Sequence, residues 1–233
     1  MLPVAHLAAL TSEFLTATDE RLTTVLLELS QWIDAWRRRP EGPLRDEVQI
    51  LDLITDALLA RDADLADRLL LNPILWSDRD KFDQTLWNGS LESGPSLGTW
   101  KPVRGLWTSP EVSVGSSAWM TRVREFGDGI RHTCAISLLR PPPDSVILLR
   151  SLSEADNFCS QGGLAAFRRA QADGFRAVDF SWRCVLEAEI SGMHGDRQPI
   201  DFPCGIGTES TLWLVRPKDT DNCACDVPDE YPG

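Results

Sequence analysis

Between residues 22 and 36, Leu22, Val25, Leu26, Leu29, Trp32, Ile33 and Trp36 recur at intervals of three and four. That spacing puts them on one face of an amphipathic helix. Arg37, Arg38 and Arg39 follow, where a helix C-terminus favours cations, and Pro40 stops the helix. Beyond the turn Pro40-Glu41-Gly42-Pro43, a second helix is signalled by Val48, Leu51, Ile54, Leu58 and Leu59, with a continuation through Leu65 and Leu69 to Leu71. Two helices joined by so short a loop predict a helical hairpin. Helical spacing alone accounts for these leucines and tryptophans as core. Nothing in residues 1–75 carries catalytic chemistry, so they are read as a packing or partner-binding module.

Past residue 80 the texture changes to short apolar runs bounded by Gly, Pro, Ser and Asp, as strands require. The pattern predicts strands over 85–87, 104–108, 133–139, 145–149, 178–180 and 211–215. Helices are predicted over 116–126, 154–159 and 164–172, with Ser153 as an N-cap. Short strands with interspersed helices indicate an α+β domain over residues 76–233.

The chain has 233 residues and a formal net charge of −12, enough length for one large core. Residues 1–80 hold 15 acidic and 8 basic side chains, and residues 81–233 hold 20 and 15. Acid spread this evenly serves solubility and works against nucleic-acid binding, which needs clustered Lys and Arg. No run approaches the roughly 18 apolar residues of a membrane span. The N-terminal run lacks a basic flank and is broken by His6 and by Thr11-Ser12-Glu13, so an export signal is not expected. The six cysteines (Cys134, Cys159, Cys184, Cys204, Cys223 and Cys225) are therefore expected as free thiols in the cytoplasm.

Three short motifs carry candidate chemistry. They are Leu86-Trp87-Asn88-Gly89, then Gly105-Leu106-Trp107-Thr108-Ser109 ahead of Gly115-Ser116-Ser117-Ala118-Trp119, and late in the chain Gly207-Thr208-Glu209-Ser210-Thr211-Leu212-Trp213. In order and rough spacing this set, across residues 80–216, resembles the ADP-ribosyltransferase fold. There a strand ending in Arg-Gly or His-Gly is followed by an aromatic-hydroxyl strand and, later, by a glutamate beside small hydroxyl residues. The resemblance implies a mixed, split β-sheet domain behind the N-terminal helical hairpin, and NAD as substrate. It assigns Glu209 as the catalytic carboxylate, with Ser210 and Thr211 orienting it or the ribose hydroxyls. It further assigns Asn88, Gly89, Trp107, Thr108, Ser109 and Trp119 to NAD binding, with Trp107 or Trp119 as a wall for the nicotinamide ring.

The chemistry behind those roles is physical. Breaking the nicotinamide-ribose bond passes through an oxocarbenium-like ribose, and a fixed carboxylate stabilises a charge present only in that transition state. An aromatic face suits a positively charged flat ring. Asn88 stands where the family has Arg or His; it can bond a ribose hydroxyl but brings no charge to the pyrophosphate. Either Arg104 or Lys101 supplies that charge, or the domain no longer turns over NAD. The bland readings are a loop glutamate at position 209 and half-buried strand residues at 106–108.

Other features point elsewhere only weakly. His194, Cys204, Cys223 and Cys225 lack a paired C-x-x-C, so no metal site is expected. His132 and Cys134 would share a strand face, which allows a thiol-imidazole pair, but Cys134 reads as core. No G-x-S-x-G, H-E-x-x-H, P-loop or G-x-G-x-x-G is present. Two functions stand: ADP-ribosyl transfer or NAD glycohydrolysis in the cytoplasm, or by an effector delivered there, and a catalytically silent scaffold whose helical module docks a protein partner. An enzyme requires Asn88, Thr108 or Ser109, and Glu209 to converge on one cleft.

Overall fold

A computed structural model describes residues 4–17, 19–37, 39, 45–60, 73–74, 91, 106–109, 111–113, 116–117, 136–137, 141–160, 162–193 and 209–215. Along the chain these form helices α1 (Val4–Phe14), α2 (Asp19–Arg37) and α3 (Arg45–Ala60), then strands β1 (Pro73–Ile74), β2 (Leu106–Thr108), β3 (Glu111–Ser113), β4 (Ser116–Ser117) and β5 (Ile136–Ser137). A 3-10 turn (Pro143–Ser145) leads into β6 (Val146–Leu149), followed by α4 (Leu152–Cys159), α5 (Gly163–Ala172), β7 (Ala177–Phe180), α6 (Trp182–Met193) and β8 (Ser210–Trp213). The chain is thus mixed helix and strand, an α+β arrangement.

Four strands make the central sheet, in the order β2-β8-β7-β6. Strands β6 and β7 are parallel and joined through α4 and α5, whereas β8 runs antiparallel to both β7 and β2. The registers put Thr108, Thr211 and Asp179 side by side, flanked along the strands by Leu106, Trp213 and Ala177. Side chains alternate across a strand, so Trp107, Leu212, Val178, Ile147 and Phe180 belong to the other face. There the ring centroid of Phe180 lies 5.9 Å from that of Trp107 and 6.4 Å from that of Phe167 on α5, and Phe158 on α4 closes the line at 5.2 Å from Phe167. That aromatic chain ties α4 and α5 to the sheet.

Helix α2 buries Leu22, Val25, Leu26, Leu27, Leu29, Trp32, Ile33 and Trp36, the stripe that the spacing predicts plus Leu27. Its surroundings differ from a simple hairpin. A further helix, α1, precedes it and packs against both α2 and α3, while α2 also lies along α6. Buried Thr11 and exposed Ser12 are accommodated in α1 because their hydroxyls donate to the carbonyls of Leu7 and Ala8 one turn back, at 2.9 and 3.0 Å. Leu7, Leu10 and Phe14 of α1, the α2 stripe, Trp182 and Leu186 of α6, and Leu149, Val178 and Leu212 of the sheet belong to one continuous apolar core. Each such side chain contributes roughly 1.5–3 kcal/mol by leaving water.

Three local expectations shift. Residues 116–117, read as the start of a helix, form β4 and pair with β3, where Glu111 faces Ser117; small hydroxyl residues compete with a helical backbone and accept a strand pairing readily. Helix α4 begins two residues early, because Ser151 and not Ser153 is its N-cap: Ser151 Oγ accepts from Glu154 N at 3.2 Å. Helix α3 ends at Ala60, and residues 61–71 lie outside the described part. Gly174 follows α5 at φ +91°, a conformation L residues avoid, and lets the amides of Gly174 and Phe175 close the helix on Gln171 and Ala170.

Candidate functional site

Strand β8 sits inside the sheet, so its polar residues must find partners among neighbouring strands. Thr211 Oγ1 donates to Asp179 Oδ1 across the β7–β8 pair at 2.5 Å. On the other side, Trp213 Nε1 donates to Thr108 Oγ1 at 3.0 Å. One residue before β8, the carbonyl of Glu209 accepts from Ser109 Oγ at 3.1 Å, joining positions 100 residues apart in sequence. The result is a row of Thr108, Thr211 and Asp179 on one sheet face with Ser109 and Glu209 at its end, buried throughout: Thr108, Ser109, Glu209 and Thr211 are each 1% exposed and Asp179 is 3% exposed.

Burial dominates the electrostatics of that row. It raises the Asp179 carboxyl from 3.8 to about 6, against the opposing pull of the Thr211 hydroxyl bond. Burial alone accounts for that rise.

Of the residues singled out from sequence, Thr108, Ser109 and Glu209 come together through the β2–β8 pairing. Trp107 points to the opposite face, its ring against Phe180, so it braces the core below the row. Asn88, Gly89 and Trp119 lie outside the described residues, as do Lys101, Arg104, His132, Cys134, His194, Cys204, Cys223 and Cys225. Asp179 is an addition absent from the sequence motifs, and Trp213, the last residue of the third motif, gains a partner in Thr108. An acid in the middle of the apolar run Ala177-Val178-Asp179-Phe180 was the available signal for the first.

A second place where ligands gather in sheets with parallel strands is the carboxyl end of those strands, where helices begin. Here α4 and α6 start beside each other, and the amides of Leu152, Glu154 and Cys184 are already taken by side chains. Glu154 Oε2 accepts from Arg150 N at 2.6 Å, Glu187 Oε2 accepts from Leu152 N at 2.8 Å, and Arg183 Nε pairs with Glu187 Oε1 at 2.6 Å. Ser181 Oγ links the two ends, donating to the Arg150 carbonyl at 3.0 Å and accepting from Cys184 N at 3.2 Å. These bonds satisfy part of each helix start from within.

Cys159 and Cys184 are free thiols, both pushed up by burial, Cys159 to about 12 with a further push from Asp156. Neither is poised as a thiolate nucleophile near neutral pH. Among the described residues no group of three or more His, Cys, Asp or Glu is placed to hold a metal, and no helix is long and apolar enough to cross a membrane. No protein-family model, curated protein or solved structure matches the chain.

Proposed function

We propose that the chain is an ADP-ribosyltransferase or NAD glycohydrolase in which Glu209 stabilises the cationic ribose as nicotinamide leaves. The observation that carries this reading is the β2–β8 pairing, which brings the hydroxyls of Thr108 and Ser109 to the strand that begins after Glu209. Those two motifs resemble the family's ribose-binding and catalytic elements, and they meet from opposite ends of the domain, as such a site requires. On this reading the 76–233 region is an ADP-ribosyltransferase-like domain and the N-terminal helices are its supporting module. Incubation of the chain with NAD, with mass spectrometry for free nicotinamide and a thermal-shift titration with NAD, tests it.

The second reading is a silent scaffold that binds a protein through its helices, and the depth of the row favours it. Thr108, Ser109 and Glu209 at 1% exposure leave little surface for a dinucleotide. The outer face of α3 offers an alternative contact, with Leu53 half exposed beside Asp52 and Asp56. Absence of both nicotinamide release and an NAD-dependent shift selects the scaffold.

A further inference from the structure

On one side the central sheet ends at β6, in the order β2-β8-β7-β6. The carbonyls of Ser145 and Leu149 accept from Arg176 N at 2.7 Å and Ser181 N at 3.1 Å. Main-chain groups alternate sides along a strand, so those of Val146, Leu148 and Arg150 face outward. Two of the outward amides are closed off from within: Val146 N donates to the Pro143 carbonyl and Arg150 N to Glu154 Oε2. Among the described residues, no partner meets the Val146 carbonyl or the N–H and C=O of Leu148. The side chains of Val146, Ile147 and Leu148 are only half-buried. Residues 146–149 hold no charge, proline or glycine that would blunt an open edge.

We infer that β6 is a self-association edge: two copies of the chain pair through it, antiparallel about a two-fold axis, and join their four-stranded sheets into one. The pairing is independent of the NAD reading. A two-fold interface needs a patch that complements itself, and an aliphatic strand with an exposed acid before it and an exposed base after it does so. The open groups select the register. With Val146 opposite Leu148 of the second copy, each Leu148 N–H donates to the other copy's Val146 carbonyl, and the Val146 amide keeps its bond to Pro143. Ile147 then meets its counterpart on the axis, in the non-hydrogen-bonded position where cross-strand side chains approach most closely. The same register sets Asp144 opposite Arg150 of the second copy, whereas parallel pairing would stack Asp144 on Asp144. Glu154 stands beside Arg150 and offsets part of that attraction, so the main-chain bonds carry most of the pairing. The net charge of −12 on each copy opposes association, and salt at about 0.15 M screens the repulsion beyond roughly 8 Å.

Sedimentation velocity of the full chain across the micromolar range, at that ionic strength, reads the mass, with melting temperatures taken in parallel. Wild type should approach twice the 25.9 kDa of one chain as concentration rises. Leu148→Pro removes the donor at an edge position where the monomer makes no bond with it. It should weaken the dimer about thirtyfold, the size of two net hydrogen bonds. Arg150→Asp should weaken it severalfold by setting acid against Asp144. Asp144→Arg combined with Arg150→Asp should restore the wild-type mass at each concentration, because the pairs re-form with their signs exchanged. A chain that stays at 25.9 kDa at every concentration overturns the inference. So does a dimer whose affinity ignores Leu148→Pro or, should that variant not fold, one that ignores the charge exchange at the exposed Asp144 and Arg150.

Discussion

Helix α2 and strand β8 are both buried, yet by opposite chemistry. Along α2 the hidden face is almost wholly apolar, with Ser30 its one buried hydroxyl among the side chains described. Along β8, Ser210 and Thr211 are hidden as completely as Leu212 and Trp213. An apolar face tolerates approximate partners, because the hydrophobic term is non-directional. A buried hydroxyl or carboxyl needs a partner at one distance and angle, and losing it leaves an unpaired group in a dry interior. The helical layer therefore tolerates approximate packing, whereas the row Thr108, Thr211 and Asp179 depends on its pairing geometry.

The largest effect expected from testing that contrast is in the helical layer. Leu29→Ala should lower unfolding free energy by about 2–5 kcal/mol, the range for a fully buried leucine, at every pH between 4 and 8 by urea denaturation. A loss below about 1 kcal/mol would show that α2 is not core, and a loss varying with pH would blur the two regions.

The row should behave differently. Between roughly pH 4 and 6 the folded chain holds a proton on Asp179 that the unfolded chain has released, since burial raises this carboxyl from 3.8 to about 6. Stability is then lost as pH rises through that window and is at its reduced level above it. The shift corresponds to about 3 kcal/mol. Asp179→Asn, compared with wild type across pH 4–8, should remove that component, so that the variant gains on the wild type as pH rises. A constant difference would mean that Asp179 does not titrate in the folded chain.

Smallest is the effect at the start of α4. Ser151→Ala removes the hydroxyl that accepts from Glu154 N and should cost about 1 kcal/mol, independent of the row and of NAD. An effect on NAD binding would show that the helix start, filled by Glu154 and Glu187, belongs to the site after all.

Residues such as Leu22, Leu26 and Ile33 were legible because their partners lie on the same helix face, three and four positions away, and a single window shows the period. Strands β6, β7 and β8 were legible to within a residue or two for the same local reason. Helix α6 was not: Trp182, Cys184, Val185, Leu186, Ala188 and Ile190 are all buried, and a helix hidden on most sides shows no clean stripe. Helix α1 was masked by Thr11 and Ser12, whose hydroxyls turn inward to their own backbone. At the candidate site, Thr108, Ser109 and Glu209 were found through the resemblance, but their meeting was not. Ser109 and Glu209 touch across 100 residues, and no local pattern encodes which strand pairs with which. Asp179 was missed because its role depends wholly on being opposite Thr211.

The reading that gives this row a purpose is cleavage of the nicotinamide-ribose bond with Glu209 as the carboxylate. Its most direct test is nicotinamide release from NAD by wild type and by Glu209→Gln, at matched melting temperature. Wild type should release nicotinamide, and the variant should do so about 10²–10³ times more slowly, the usual loss for one preorganised electrostatic contact, while still binding NAD. A wild-type chain that releases none, or a variant that releases it at the wild-type rate, would contradict the account.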